Sequence, residues 1–231
     1  MSLRKITLDA IAQRIVQPFA LEPIAQIDHM VAYLYLCHGA VARHRHINQD
    51  ELFYVHSGIL SLDTDWGRLN LMEHELAVIP RGLGHVSAAA TRTIVMLFQT
   101  PGDADRKNGH GRTLTGKSSA GVPKWSASHD AQRLHGPYAP LPLAQVDEMS
   151  MRLVWCQGET SWHVHPDHDE LLFVEEGRLQ IGSEIGPVTI GSGEMLVIPR
   201  NRIHRLTSNE HTLALSLIHN IVTPAAQMGF E

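Results

Sequence analysis

The chain has 231 residues, a formal net charge of −5 with histidine neutral, 43% hydrophobic residues and 19% charged residues. These are the proportions of an ordinary globular protein, and the acidic balance offers no basic surface to a nucleic-acid backbone. No segment approaches a membrane span and Met1 to Ala10 lacks the apolar run of a signal peptide, so the expectation is a cytoplasmic protein with neither nucleic-acid nor membrane partners.

In chain order, residues 4–17 carry apolar groups at helix-like spacing, which predicts a short helix or ordered arm with Asp9 as cap and Pro18 as stop. From Ile24 the pattern changes to strands rich in Val, Leu and Tyr: Ile24 to Gln26, Met30 to Cys37, the histidine segment at 44–46, and Glu51 to His56. Gly and Pro then punctuate Ile59 to Asp63, Arg68 to Met72, Glu75 to Ile79 and Thr93 to Gln99. Pro101 to Gly121, dense in Gly, Ser, Lys and Asp, reads as a surface connector. Beyond it the order returns: a helical segment at Ser128 to Leu134, then Met149 to Cys156, Trp162 to His165, Glu170 to Glu175, Arg178 to Ile181, Val188 to Ile190, Glu194 to Ile198 and Thr212 to His219.

The return is a repeat with a fixed offset. His163, His165, Glu170 and His204 each lie 119 residues after His44, His46, Glu51 and His85, and Gly177 and Pro199 keep the same distance from Gly58 and Pro80. A constant offset means that both copies enclose the same supersecondary unit. Cys37 and Cys156 are also equivalent, which favours two buried apolar thiols over a disulfide. Many short strands between turns predict an all-β sandwich or barrel in each half. The expected organisation is a first domain with its leading arm over 1–100, a connector over 101–125 and a second domain over 126–231.

Histidines two apart on a strand point to the same face, and a carboxylate from a neighbouring strand completes most of a metal site. The candidate ligands are therefore His44, His46, Glu51 and His85 in the first copy and His163, His165, Glu170 and His204 in the second. Three imidazoles and one carboxylate suit a divalent transition metal, Fe, Mn, Ni, Co, Cu or Zn, one for each barrel. The other histidines are read as surface or hydrogen-bonded residues, His74 as an exposed turn residue, and Asp50 and Asp169 as structural. Arg81 and Arg200 read as members of surface ion pairs.

These residues resemble the cupin family. Its first motif, Gly, His-X-His, Glu, Gly, is similar to Gly39, His44, His46, Glu51, Gly58 and to Gly158, His163, His165, Glu170, Gly177. Its second, Gly, Pro-X-Gly and His, is similar to Gly193, Pro199, His204 and to Pro80, Gly82, His85, with His74 and Asn201 replacing one glycine in each copy. The resemblance implies two tandem double-stranded β-helix (jelly-roll) barrels, each with a metal near one mouth and a short helical segment before it. It also implies a small-molecule substrate or ligand and allows a homodimer through barrel edges.

For function the resemblance leaves two classes open. The first is a non-haem metal dioxygenase like the quercetin dioxygenase group, in which an enol or phenol oxygen meets the metal and Glu51 or Glu170 accepts a proton. Apolar neighbours Phe53, Val55, Leu172 and Val174 favour an apolar or aromatic substrate over a bare dicarboxylate such as oxalate. The second class is a non-catalytic metal-containing binding or regulatory cupin, with a sugar-type isomerase on the same scaffold as a further alternative.

Overall fold

The structure is a computed structural model that describes residues 3–102, 106–109, 116 and 118–220. The rest of the expected connector, including His110, and the tail 221–231 of the expected second domain lie outside the described residues. The first half contains β1 (Ile6–Thr7), α1 (Leu8–Ala12), β2 (Glu22–Ile27), β3 (Met30–Ala40), β4 (His44–His46), β5 (Glu51–Ser57), β6 (Leu60–Thr64), β7 (Gly67–Leu71), β8 (Glu75–Ile79) and β9 (His85–Gln99). Between the halves stand β10 (Arg106–Asn108) and β11 (Lys124–Ser126). The second half follows with α2 (Ala127–Asp130) and a 3-10 turn (Ala131–Arg133), then β12 (Leu141–Val146), β13 (Met149–Glu159), β14 (Glu170–Glu176), β15 (Arg178–Ser183), β16 (Val188–Gly191), β17 (Glu194–Ile198) and β18 (His204–His219).

The two sheets curl because one long strand in each serves several partners. β9 hydrogen-bonds to β3, β4, β5 and β6 in turn, and β18 to β13, β14 and β15, with register shifts at Cys37/Gly39 and Cys156/Gly158. Such irregularities bend a strand and re-aim its side chains. The motif glycines Gly58 and Gly177 sit at φ 93° and 87°, where a Cβ would stand 2.6 and 2.5 Å from the Thr93 and Thr212 hydroxyl oxygens. Only glycine fits there. His74 and Asn201, which replace motif glycines, keep the left-handed backbone at φ 64° and 61°.

Period-two alternation decides what each face of a strand touches. Along β5, Phe53 and Val55 point into the first barrel with Tyr35, Leu62 and Val95. Leu52 and Tyr54 point the other way, into an apolar layer that Leu34, Met96, Phe98, Met149, Phe173 and Leu217 share between the halves. Tyr54 and Phe173, which occupy equivalent positions, meet there edge to face with ring centroids 5.3 Å apart. Fully burying each such side chain contributes roughly 1.5–3 kcal/mol. The central strands are therefore apolar on both faces, and the halves share a core.

The halves also exchange strands. β1 pairs with β17 of the second sheet, Ile6 opposite Met195, while β11 pairs with β8 of the first, Trp125 opposite Leu76. Two pieces of the segment read as connector are thus strands, whose partners are remote in sequence and invisible to local patterning.

Several local expectations need correction. The helix expected over 4–17 spans only Leu8–Ala12, its cap position is Thr7, and Asp9 instead accepts from the buried His56 ring at 2.7 Å. Pro18 bridges Leu36 and does not end the helix. Trp162 to His165 is not a strand: only His163 bridges, to His204, and Pro166 has no N–H to extend a ladder. His74 is an exposed turn residue, as expected, and is also tied to Tyr54 and Glu175, each at 2.9 Å. Cys37 and Cys156 are buried and free, as expected, and burial pushes both thiols up to about 12.

Candidate functional site

In the first half, His44 on β4 stands directly across from His85, the first residue of β9, and their rings lie 4.4 Å apart. Glu51 opens β5 next door. His85 Nε2 lies 3.0 Å from Glu51 Oε2, yet neither atom has a hydrogen-bond partner and both are buried. The other nitrogen of each ring is occupied: Nδ1 of His44 faces the Ala42 carbonyl at 2.9 Å and Nδ1 of His85 the Leu83 carbonyl at 3.1 Å. A ring that donates through Nδ1 presents a lone pair at Nε2. Two buried acceptors that face each other at 3.0 Å suit a cation held between them, which would compensate their desolvation.

The second half repeats this arrangement. His163 and His204 rings are 4.2 Å apart, and their Nδ1 atoms face the Ser161 and Arg202 carbonyls, both at 2.9 Å. Glu170 Oε2 lies 3.4 Å from His165 Nε2 and 3.5 Å from His204 Nε2, and both Glu170 Oε2 and His204 Nε2 are buried without a partner. One ligand atom from each of His163, His165, Glu170 and His204 falls within 4.8 Å of the others, and so do those of His44, Glu51 and His85. Ligand atoms bound about 2.1 Å from one ion stand roughly 3 Å apart at right angles, so the residues fit a metal ion.

His46 differs from the other motif histidines. It is buried and its Nε2 stands 3.5 Å from Glu51 Oε1, but its Nδ1 meets the Gln49 side-chain amide at 3.1 Å where those of His44, His85, His163 and His204 meet a backbone carbonyl. The structure thus brings seven of the eight expected ligands into two groups, with His46 beside the first.

Electrostatics follow from the packing. Burial pushes the Glu51 carboxyl up, but the surrounding imidazoles, His85 foremost, outweigh it and hold it down at about 2. Glu170 is held well below the ordinary carboxylate range against the same burial by His165 and His204. Burial, reinforced by His85, lowers His44 to about 4. Both carboxylates are ionised and the His44 ring is neutral near pH 7, the states that bind a metal.

The surroundings of the two sites differ. The first opens into a cavity of about 110 Å³ with apolar walls from Phe19, Leu21, Tyr35, Phe53 and Leu97. In the second, Ser216 donates to Glu170 Oε1 at 3.0 Å and also accepts from Arg152 at 3.0 Å. Sequence reasoning missed Gln49, Arg152, Ser216 and the pocket residue Arg106, because no motif marks them.

A family model described as "Cupin domain" matches residues 153–220. The "Uncharacterized protein YdbB" of Bacillus subtilis (strain 168) is 32% identical over 90 residues, covering 38% of this chain and 80% of that protein. Among solved structures, a cupin 2 conserved barrel domain protein from Leptotrichia buccalis matches with a TM-score of 0.68 at 12% identity, covering 95% of this chain and 97% of its own. A salicylate 1,2-dioxygenase from Pseudaminobacter salicylatoxidans matches with a TM-score of 0.74 at 9% identity, covering 94% of this chain and 84% of its own. At those identities the likeness to solved structures shows the fold, and together with the motif spacing and the closer relative it establishes that this chain belongs to the cupin superfamily.

Proposed function

We propose that the protein is a metal-dependent oxidoreductase of dioxygenase type, acting on a small, largely apolar or aromatic substrate in the first barrel. The observation that carries this reading is the pair of buried acceptors, Glu51 Oε2 and His85 Nε2, 3.0 Å apart without a donor at the edge of an apolar cavity. The ligands are His44, His46, Glu51 and His85 in the first half and His163, His165, Glu170 and His204 in the second. A divalent transition metal held by them would supply Lewis-acid and redox chemistry towards a substrate oxygen and O2.

The chain's own residues do the rest. Phe19, Phe53 and Leu97 exclude water and hold an apolar ring against the site. The backbone carbonyls of Ala42 and Leu83 fix the tautomers of His44 and His85. Glu51 Oε1 is the proton acceptor for the substrate hydroxyl, within reach of His46 Nε2. In the second half, the Ser216 bond to Glu170 Oε1 removes that freedom and favours a structural ion there.

Elemental analysis after dialysis, combined with O2 uptake by Fe-, Mn- and Ni-loaded protein on enediols, flavonols and aromatic hydroxy acids, tests this. Uptake with at least one metal is the expected result. Bound metal with silence across the whole panel would establish the non-catalytic binding module instead.

A further inference from the structure

We infer that Arg106, delivered by the segment between the two barrels, is the carboxylate-binding residue of the first pocket, so that the substrate is a small carboxylic acid with an apolar or aromatic body. This deepens the proposed function and rests on it for the metal beside the ligand.

The placement follows from strand register. β10 pairs antiparallel with β4, with Arg106 directly opposite His46, Lys107 opposite Arg45 and Asn108 opposite His44. Directly opposed residues project to the same face, with Cβ atoms about 4.5–5.5 Å apart. Arg106 therefore shares the inward face with the histidines while Lys107 faces away. Its side chain lines the cavity beside His44, His46 and Glu51, and its charge contributes to the lowered pKa of His44.

Arg106 has no acidic partner among the described residues, and its buried Nε has no hydrogen bond at all. Among the described residues, Glu51 is the one carboxylate on the wall, and it faces the imidazoles. A divalent ion bound there and Arg106 together would carry more positive charge than the single Glu51 carboxylate offsets, and a buried excess is costly unless a ligand neutralises it. A substrate that brings a carboxylate to the guanidinium and a second anionic oxygen to the metal side does so. Arg is suited to the first task because its planar fork meets a carboxylate with two parallel bonds. The apolar walls have no means of holding an anion, and Ser87 and Gln99 bring no charge, so Arg106 sets orientation as well as affinity.

The test uses the full-length, metal-loaded chain with 2-hydroxybenzoate and its uncharged isostere 2-hydroxybenzamide as probes, by titration calorimetry. The expected result is that the wild type binds the acid at least tenfold more tightly than the amide. Arg106→Gln should lose at least tenfold on the acid and nothing on the amide, and Arg106→Lys should fall between. Metal content and thermal midpoint are measured on each variant, since β10 pairs through its backbone and the substitutions should leave both unchanged. Equal binding of acid and amide by the wild type, no binding of either, or an Arg106→Gln variant that keeps its affinity for the acid overturns the inference. If no variant holds metal and Arg106→Gln still loses the acid, the metal reading fails while this one stands. If metal is bound and Arg106→Gln changes nothing, this inference alone is lost.

Discussion

Asp50 and Asp147 each accept the other's backbone N–H, at 2.9 and 3.0 Å, across 97 residues of sequence. Arg81 adds a bond to both, 3.2 Å to Asp50 and 2.7 Å to Asp147. The equivalent residues Asp28 and Asp169 form a second reciprocal pair at 3.1 and 3.2 Å, closed by Arg200 on Asp28. These clasps fasten one half to the other at the start of each carboxylate-bearing strand. Asp147 has φ 48°, a conformation that Asn tolerates and Ala does not. Asp147→Ala should therefore cost about 1–3 kcal/mol more than Asp147→Asn, which keeps an acceptor for the Asp50 N–H. Urea unfolding of the two variants checks this, and equal stabilities would show that the clasp contributes nothing.

Gln49 meets Nδ1 of His46 through its side-chain amide at 3.1 Å. Partners of ligating rings typically change metal affinity 10–100-fold when removed. Gln49→Leu should weaken the first site by that factor and leave the second unchanged, as read by chelator competition resolving the two sites. Loss of both sites together would point to a folding defect instead.

The two carboxylates should separate binding from turnover. Glu51→Gln is expected to remove about one metal equivalent and to end O2 uptake. Glu170→Gln is expected to remove the other while uptake persists, because Glu170 Oε1 is already committed to Ser216. Elemental analysis and an oxygen electrode give both readouts, and an inactive Glu170→Gln with an intact first site would reverse the assignment.

His74 joins the halves through Glu175, whose hydrogen bond raises the pKa of the ring above its ordinary value of 6.5. A raised folded-state pKa contributes stability that is fully present below about 6.5 and is lost as pH climbs through the raised value. His74→Asn, which suits the positive φ, should thus be destabilised relative to wild type at pH 6 and less so at pH 9. Thermal midpoints across that range decide it. A gap independent of pH would mean that the imidazolium form plays no part.

How much was legible in the sequence follows from how local each signal is. The His-X-His spacing, the Glu five residues on and the Gly-X-X-His stop are short-range patterns, and they brought together the ligand types although the strand expected at Trp162 to His165 did not form. The strand from Thr93 was legible, but its extension back to His85 was not, because Val86 to Thr91 offers no clear alternation. The short helix or ordered arm expected within 4–17 is a helix over Leu8–Ala12 only, and the apolar spacing on either side reflects packing of residues such as Ile15 into the layer between halves.

By itself, then, the sequence determined which residues stand on the inward faces: alternation along a strand is a property of the backbone and needs no partner to be read. What tertiary structure alone decided is which strands lie side by side. β1 and β11 cross to the opposite sheets, and β10 folds back over β4 to set Arg106 opposite His46. Pairing between strands is fixed by hydrogen bonds and burial summed over residues far apart in the chain, and no local pattern carries that sum. The candidate metal ligands belong to the first kind of information, and the charge that faces them across the pocket belongs to the second.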